Sequence, residues 1–168
     1  MLELHTMLLP TSVGVLKLVA SDAGLCAVLW PQDATAQRVI LPRAVENAAH
    51  PILCAAARQL DEYFAGTRRQ FDVPLDLAGT PFQLKAWAAL CAIPFGQTRT
   101  YTEQAHSMAM PNAVRAVGAA NGRNPLSIIV PCHRVVGADG QLTGYAGGLE
   151  AKKWLLDFER EDGKAGRR

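Results

Sequence analysis

Ile128-Ile129-Val130-Pro131-Cys132-His133-Arg134-Val135-Val136 sets a thiol, an imidazole and a guanidinium between two β-branched runs. β-Branched residues favour strands, and proline has no N–H for a sheet ladder. The stretch therefore predicts a buried strand over residues 128–130 that stops at Pro131 and leaves Cys132 at a strand end, beside a cleft. Taken alone, Cys132 is either a small core hydrophobe or a nucleophile. The adjacent His133 and Arg134 favour the nucleophile, because burying such groups without partners costs several kcal/mol and nearby cations promote the thiolate. Successive side chains on an extended segment point to opposite faces. A relay from Cys132 to His133 through one water is the expected geometry.

Outward from this stretch, 168 residues with 49% hydrophobic and 19% charged content suit a globule of one large domain or two small ones. No run approaches the ~18–20 apolar residues of a membrane span, and the N-terminus has no basic region ahead of an apolar run, so a cytoplasmic protein is expected. Cysteines at positions 26, 54, 91 and 132 lack the short paired spacings of zinc or redox motifs. In a reducing compartment they should be unbridged, with Cys54 and Cys91 in helical cores and Cys26 facing inward from a strand. The net charge of +2 is uneven: residues 1–79 carry 6 basic and 8 acidic side chains, residues 80–168 carry 11 and 7. The basic surplus lies with the candidate nucleophile and fits a polyanionic partner.

Upstream, residues 2–9, 13–20 and 24–30 alternate apolar runs with turn residues and predict a β-meander. A weakly patterned stretch to about Asn47 precedes a helix ending near Gly66, with the stripe Ile52, Ala55, Ala56, Leu60 and Tyr63. Phe71 to Leu77 is expected as one more strand. Thr80 and Pro81 carry the N-cap and first-turn signals of a new helix, and the domain boundary is placed there, giving domains 1–79 and 80–168. That helix runs to about Ala92, with Phe82, Ala86, Trp87, Leu90 and Cys91 inward. Thr100 caps a short helix to about Met108, and Pro111 opens another, with Ala113, Ala116, Val117 and Ala120 on one face, that stops at Asn121-Gly122. Two short helices across a tight turn suggest a helix-turn-helix.

The second of these helices offers only Arg115 as a long polar side chain, too little to read base edges. A smooth helix of small residues can instead approach a narrow groove while one cation inserts beside an unstacked base. The alternative, a packing helix with one exposed arginine, stays open on these residues alone. Downstream lie the turn Gly137 to Gly140, the loop Thr143 to Gly148, and a helix from about Glu150 to Arg160 with the stripe Ala151, Trp154, Leu155 and Phe158, before a tail expected to fray. Lys152 and Glu159 flank that stripe and read, without more information, as solvated charges.

Tyr101, Arg115, Asn124, Pro131-Cys132-His133-Arg134, Tyr145 and Glu159 fall in the order found in the O6-alkylguanine-DNA alkyltransferases, or methylated-DNA-protein-cysteine methyltransferases, which the chain resembles across residues 80–160. Its length is similar to that of the bacterial constitutive form. The resemblance implies an α/β (α+β) fold: a β-rich ribonuclease-H-like domain followed by a mostly helical DNA-binding domain. It also implies repair of O6-alkylguanine, and of O4-alkylthymine, in double-stranded DNA by nucleotide flipping and one irreversible alkyl transfer to Cys132, without cofactor or metal. Catalytic roles pass to Cys132, His133, Glu159 and Tyr101, with Glu159 orienting His133 and Tyr101 protonating the departing base. DNA contacts pass to Arg115, Ala116, Tyr101, Asn124 and Arg134, Asn124 also fixing the hinge before the cysteine. Val135, Tyr145, Ala146 and Lys152 would line the guanine pocket. A monomer is expected in solution, with cooperative binding along DNA known among relatives.

Two departures from the family pattern stand out. Ser107-Met108-Ala109-Met110 lacks the glycine often found in the turn, and Ser127 stands where some relatives carry proline. Two rival functions frame the expectation. A thiol hydrolase would need a third group and an oxyanion hole and would turn over. A non-catalytic alkylated-DNA-binding or regulatory module would leave Cys132 inert.

Overall fold

Leu4–Thr11 (β1) and Gly14–Ala20 (β2) form an antiparallel hairpin in the computed structural model, which describes residues 3–33 and 38–165. Gly14 closes the turn with φ 119°, a backbone that only glycine adopts readily. Leu25–Leu29 (β3) pairs antiparallel with β2, and the meander expected from the sequence is present. The sheet order is β3-β2-β1-β4, where β4 is Ala44–Glu46, parallel to β1. The weakly patterned stretch concealed β4, because three residues on a sheet edge need no hydrophobic alternation.

Helix α1, Pro51–Phe64, packs on this sheet. His50 caps it by accepting from the Ile52 N–H, and Pro51 takes the first turn, where an N–H has no helical partner anyway. The buried face is Leu53, Ala56, Gln59, Leu60 and Tyr63, which keeps Ala56, Leu60 and Tyr63 of the expected stripe and has Leu53 and Gln59 in place of Ile52 and Ala55. Gln59 is inside because its Oε1 accepts from the N–H groups of Asp72 and Val73 while its Nε2 donates to the Asp72 carboxylate. Those bonds also explain why residues 71–77 are not the strand expected. The segment spends its polar groups on Gln59 and on one bridge to Leu25, which donates to the Pro74 carbonyl and accepts from the Asp76 N–H. Pro74 has no N–H to extend a ladder.

The chain divides into compact units at Met1–Ala78 and Gly79–Arg168. The second opens with α2, Pro81–Cys91, under a full capping box in which Thr80 and Gln83 satisfy each other's backbone N–H groups. Arg99–Thr100 (β5) leads into α3, Tyr101–Ser107, whose capping box is Thr100 with Glu103. Helix α4, Val114–Gly122, follows with Ala113 at its N-cap, so it opens after Pro111 and not at it. Ala105, Met108, Val117 and Ala120 pack with Ala86 into one core that joins α2, α3 and α4. A reciprocal amide pair completes it: Gln104 donates to Asn121 Oδ1 at 3.0 Å and to the Ala86 carbonyl, and Asn121 donates back to Gln104 Oε1 at 2.8 Å. Ala109 supplies the missing turn glycine's conformation itself, with φ 57°. Cys54 and Cys91 are exposed, against the core expectation, whereas Cys26 is buried as expected.

The last helix, α5, is Leu149–Ala165, longer than its sequence pattern suggested. Its buried residues include Lys152, Leu155, Leu156 and Glu159, while Trp154 and Phe158 stack on each other half-buried at 5.1 Å. The helix is rotated by about one residue from the expected stripe, so the two charges face inward. Among the described residues no helix is long and apolar enough to cross a membrane.

Candidate active site

Residues 124–131 are not a strand. Asn124, wholly buried, donates through Nδ2 to the Val130 carbonyl at 2.8 Å and accepts the Leu126 N–H at 2.9 Å. Val130 donates to Leu126 and Cys132 donates to Val130, so the backbone is satisfied by a tight local knot rather than a ladder. Ile128 holds φ 75° inside it, a strained backbone for a β-branched residue. The β-branched run signalled burial correctly and conformation wrongly. Cys132, His133 and Arg134 then form a 3-10 turn, and Val135–Val136 (β6) pairs parallel with β5 through Arg99↔Val135 and Thr100↔Val136. That short pairing ties the start of α3 to the end of the cysteine turn.

The turn sends His133 and Arg134 inward, where α5 meets them. His133 Nε2 lies 2.8 Å from Glu159 Oε2, and Arg134 donates through Nε to Glu159 Oε1 at 2.8 Å, through Nη2 to Oε2 at 2.9 Å, and through Nη1 to the Ile93 carbonyl at 2.7 Å. All three side chains are buried. Burial alone would raise the Glu159 carboxyl, but His133 and Arg134 outweigh it and hold it far below the usual carboxylate range. Burial lowers the His133 imidazole, Arg134 and Lys152 add to the shift, and Glu159 opposes it only in part. His133 is thus neutral, and the cation that balances Glu159 is Arg134. An anionic Glu159 can only accept, which places the His133 proton on Nε2 and the lone pair on Nδ1. Nδ1 has no hydrogen-bond partner among the described residues.

Lys152 is buried, donates from Nζ to the Thr143 carbonyl at 3.0 Å, and is lowered by that burial, with Cys132 close enough to oppose the shift electrostatically. Thr143 also meets Tyr101: the two hydroxyl oxygens are 2.7 Å apart. Tyr145 stands edge-on to His133 with ring centres 6.5 Å apart, and Val135 is buried beneath the same turn. Cys132 itself is half-buried, at the mouth of the arrangement. A half-buried thiol next in the turn to a buried imidazole hydrogen-bonded to a carboxylate is an arrangement that can pair a nucleophile with a base.

The chain matches the family described as 6-O-methylguanine DNA methyltransferase, its ribonuclease-like domain over residues 4–77 and its DNA-binding domain over residues 81–161. It is 57% identical over 107 residues to the methylated-DNA--protein-cysteine methyltransferase of Methanosarcina barkeri, covering 64% of this chain and 68% of that one. The Mycobacterium tuberculosis protein of the same name is 57% identical over 105 residues, a stretch of 62% of this chain and 64% of that relative's length. A crystal structure of Mycobacterium tuberculosis OGT in complex with DNA superposes with TM-score 0.82 at 41% identity, over 95% of this chain and 94% of that one. The chain belongs to the 6-O-methylguanine DNA methyltransferase family.

Set against the site expected of such a methyltransferase, the structure brings His133, Glu159, Arg134 and Lys152 together behind Cys132, and joins Tyr101 to Lys152 through Thr143. Lys152 and Glu159 are not the solvated charges that spacing suggested. Arg134 is spent inside on Glu159 and Ile93, so it is not placed as the DNA contact expected of it. Asn124 is likewise buried in the knot, fitting the hinge and not a DNA-facing position. Arg115 and Ala116 are exposed on α4, the latter away from the packing stripe expected for it, and Ala146 is half-buried in the loop after Tyr145. Thr143, the Ile93 carbonyl and the Gln104–Asn121 pair were missed, for no spacing announces a contact made across 42, 41 or 17 residues.

In the first unit, His5, Asp22 and His50 bring donor atoms within 4.8 Å of one another. The hydrogen bonds around them oppose cation binding. His50 Nδ1 accepts from Ile52, and His5 Nδ1 accepts from Asn47 Nδ2, whose Oδ1 is engaged by the Ala49 N–H. A metal-bound histidine donates from its second nitrogen instead.

Proposed function

We propose that this chain repairs alkylated DNA by moving the alkyl group from O6 of guanine to its own Cys132, in one irreversible step. The observation that carries this reading is the buried His133, held 2.8 Å from an Arg134-clamped Glu159 and next in the turn to a half-buried thiol. His133 Nδ1 takes the Cys132 proton through a bridging water, and the resulting imidazolium is stabilised by Glu159. The thiolate attacks the alkyl carbon, the carbon–O6 bond breaks, and Tyr101 protonates the departing base. The product is a thioether, which is neither acidic nor readily displaced, so each chain acts once.

The target carbon is inside the stacked duplex, and reaching it requires the nucleotide to be turned out, at a few kcal/mol of lost stacking. Exposed Arg115, in a stretch 113–120 otherwise made of Ala, Val and Gly, is suited to fill the gap. O4-alkylthymine presents similar chemistry and is included in the proposed substrate range. Catalysis needs no cofactor, and the reaction takes place in the cytoplasm. The chain acts as a monomer in solution.

Titration of an O6-methylguanine duplex against the protein tests this directly. One methyl lost from DNA per chain, with no further turnover at excess duplex, is the expected result. Continued turnover would indicate a hydrolase, and tight binding without methyl loss a recognition module.

A further inference from the structure

The contact between Tyr101 and Thr143 goes beyond the roles assigned so far. We infer that Thr143 is a positioning residue for the alkyl transfer, holding the Tyr101 phenol so that its only proton points at the departing base. The inference rests on Tyr101 being the proton donor, as proposed above. Tyr101 is fixed at the start of α3, behind the Thr100–Glu103 capping box and the β5–β6 pairing. Its ring packs against the core cluster that includes Val117 of α4, and it faces Gly118, where an added Cβ would sit 3.9 Å from two ring carbons.

Thr143 is held from the opposite side. Its carbonyl accepts from the buried Lys152 ammonium at 3.0 Å, and its Oγ1 is 2.7 Å from the Tyr101 oxygen. A phenol has one proton, whereas a threonine hydroxyl can donate while still accepting. When Thr143 donates to the Tyr101 oxygen, the phenolic proton is left to point into the pocket. As the sulfur–carbon bond forms and the carbon–O6 bond breaks, the electron pair enters the guanine ring. A ring nitrogen takes the Tyr101 proton, and the phenolate left behind keeps the Thr143 hydrogen bond until solvent reprotonates it. The proton that left Cys132 resides on His133, so charge is balanced throughout. Thr143 thus stabilises an anion that exists only late in the reaction, where a hydrogen bond contributes most.

Leaving-group protonation can be separated from nucleophile activation by choice of electrophile. O6-benzylguanine needs its departing base protonated, whereas iodoacetamide releases iodide and needs no proton. Thr143→Val, which keeps the carbonyl and the β-branched shape, should slow single-turnover benzylation of Cys132 by about 3- to 10-fold, and Thr143→Ser should recover most of it. Iodoacetamide labelling of Cys132 should stay within about twofold. In a Tyr101→Phe background, Thr143→Val should add no further loss. Equal slowing with both electrophiles, unchanged benzylation, or a full additional loss without Tyr101 would overturn the role of Thr143. Failure of the unaltered protein to take a methyl group from an O6-methylguanine duplex would instead overturn the alkyl-transfer reading itself.

Discussion

Arg134 Nε donates to Oε1 of Glu159 at 2.8 Å in the interior of the second unit. The arginine in the cysteine motif is thereby the counter-ion of the carboxylate that also meets His133. Removing one partner of a buried ion pair strands the other, at about 3–5 kcal/mol. Arg134→Gln should therefore lower stability by about that much in urea denaturation, while the salt dependence of DNA binding keeps its slope. A stable Arg134→Gln protein with a shallower slope would return Arg134 to the DNA surface.

His133 and Glu159 make the protein sensitive to acid. Burial holds the folded-state His133 below its ordinary value of 6.5, so the unfolded chain binds the proton first as pH falls. Stability from this group is complete above about pH 6.5 and declines below it. Glu159 is held low as well, so its contribution is lost below its ordinary 4.5. The same proton on His133 disables the base, so alkyl transfer should slow on the acid side. Denaturation midpoints between about pH 5 and 8 check the sign: a midpoint that rises as pH drops would mean that His133 is charged in the folded protein. Glu159→Gln removes the group that raises His133, and it should move the acid limb of the transfer rate to lower pH while reducing the plateau.

Asn124 closes the knot that positions the turn. Its replacement by alanine leaves the Val130 carbonyl and the Leu126 N–H buried without that partner, a cost of about 2–4 kcal/mol. Thermal unfolding of Asn124→Ala should show the loss, and surviving folded protein should label more slowly at Cys132. A fully stable variant that loses only duplex affinity would support a DNA contact instead.

Segments whose capping and packing are local were legible in the sequence. Thr80 with Pro81, and Thr100, mark helix starts by local chemistry that needs nothing from the rest of the chain. The Ile128–Val130 run failed for the opposite reason: β-branched residues report burial, while the side chain of Asn124 decides whether their backbone forms a ladder or a knot. Lys152 and Glu159 read as surface charges because a helical pattern gives no sign of the partners, Thr143, His133 and Arg134, that make their burial tolerable. The resemblance named most of the site, but it put Arg134 on the DNA and left Thr143 out.

Arg115 is exposed on α4. If it replaces an extruded nucleotide, Arg115→Ala should lose on the order of 1–3 kcal/mol in duplex repair. Transfer from free O6-benzylguanine should change little. Comparable losses on both substrates would assign Arg115 to the pocket or to folding.

The central claim is that Cys132 receives the alkyl group and keeps it. Peptide mapping by mass spectrometry, after reaction with excess O6-methylguanine duplex, measures this most directly. One methyl group on the peptide carrying Cys132, with Cys26, Cys54 and Cys91 unmodified, is the expected result. A methyl group on another cysteine, or an unmodified Cys132 after the duplex has been repaired, would contradict the account.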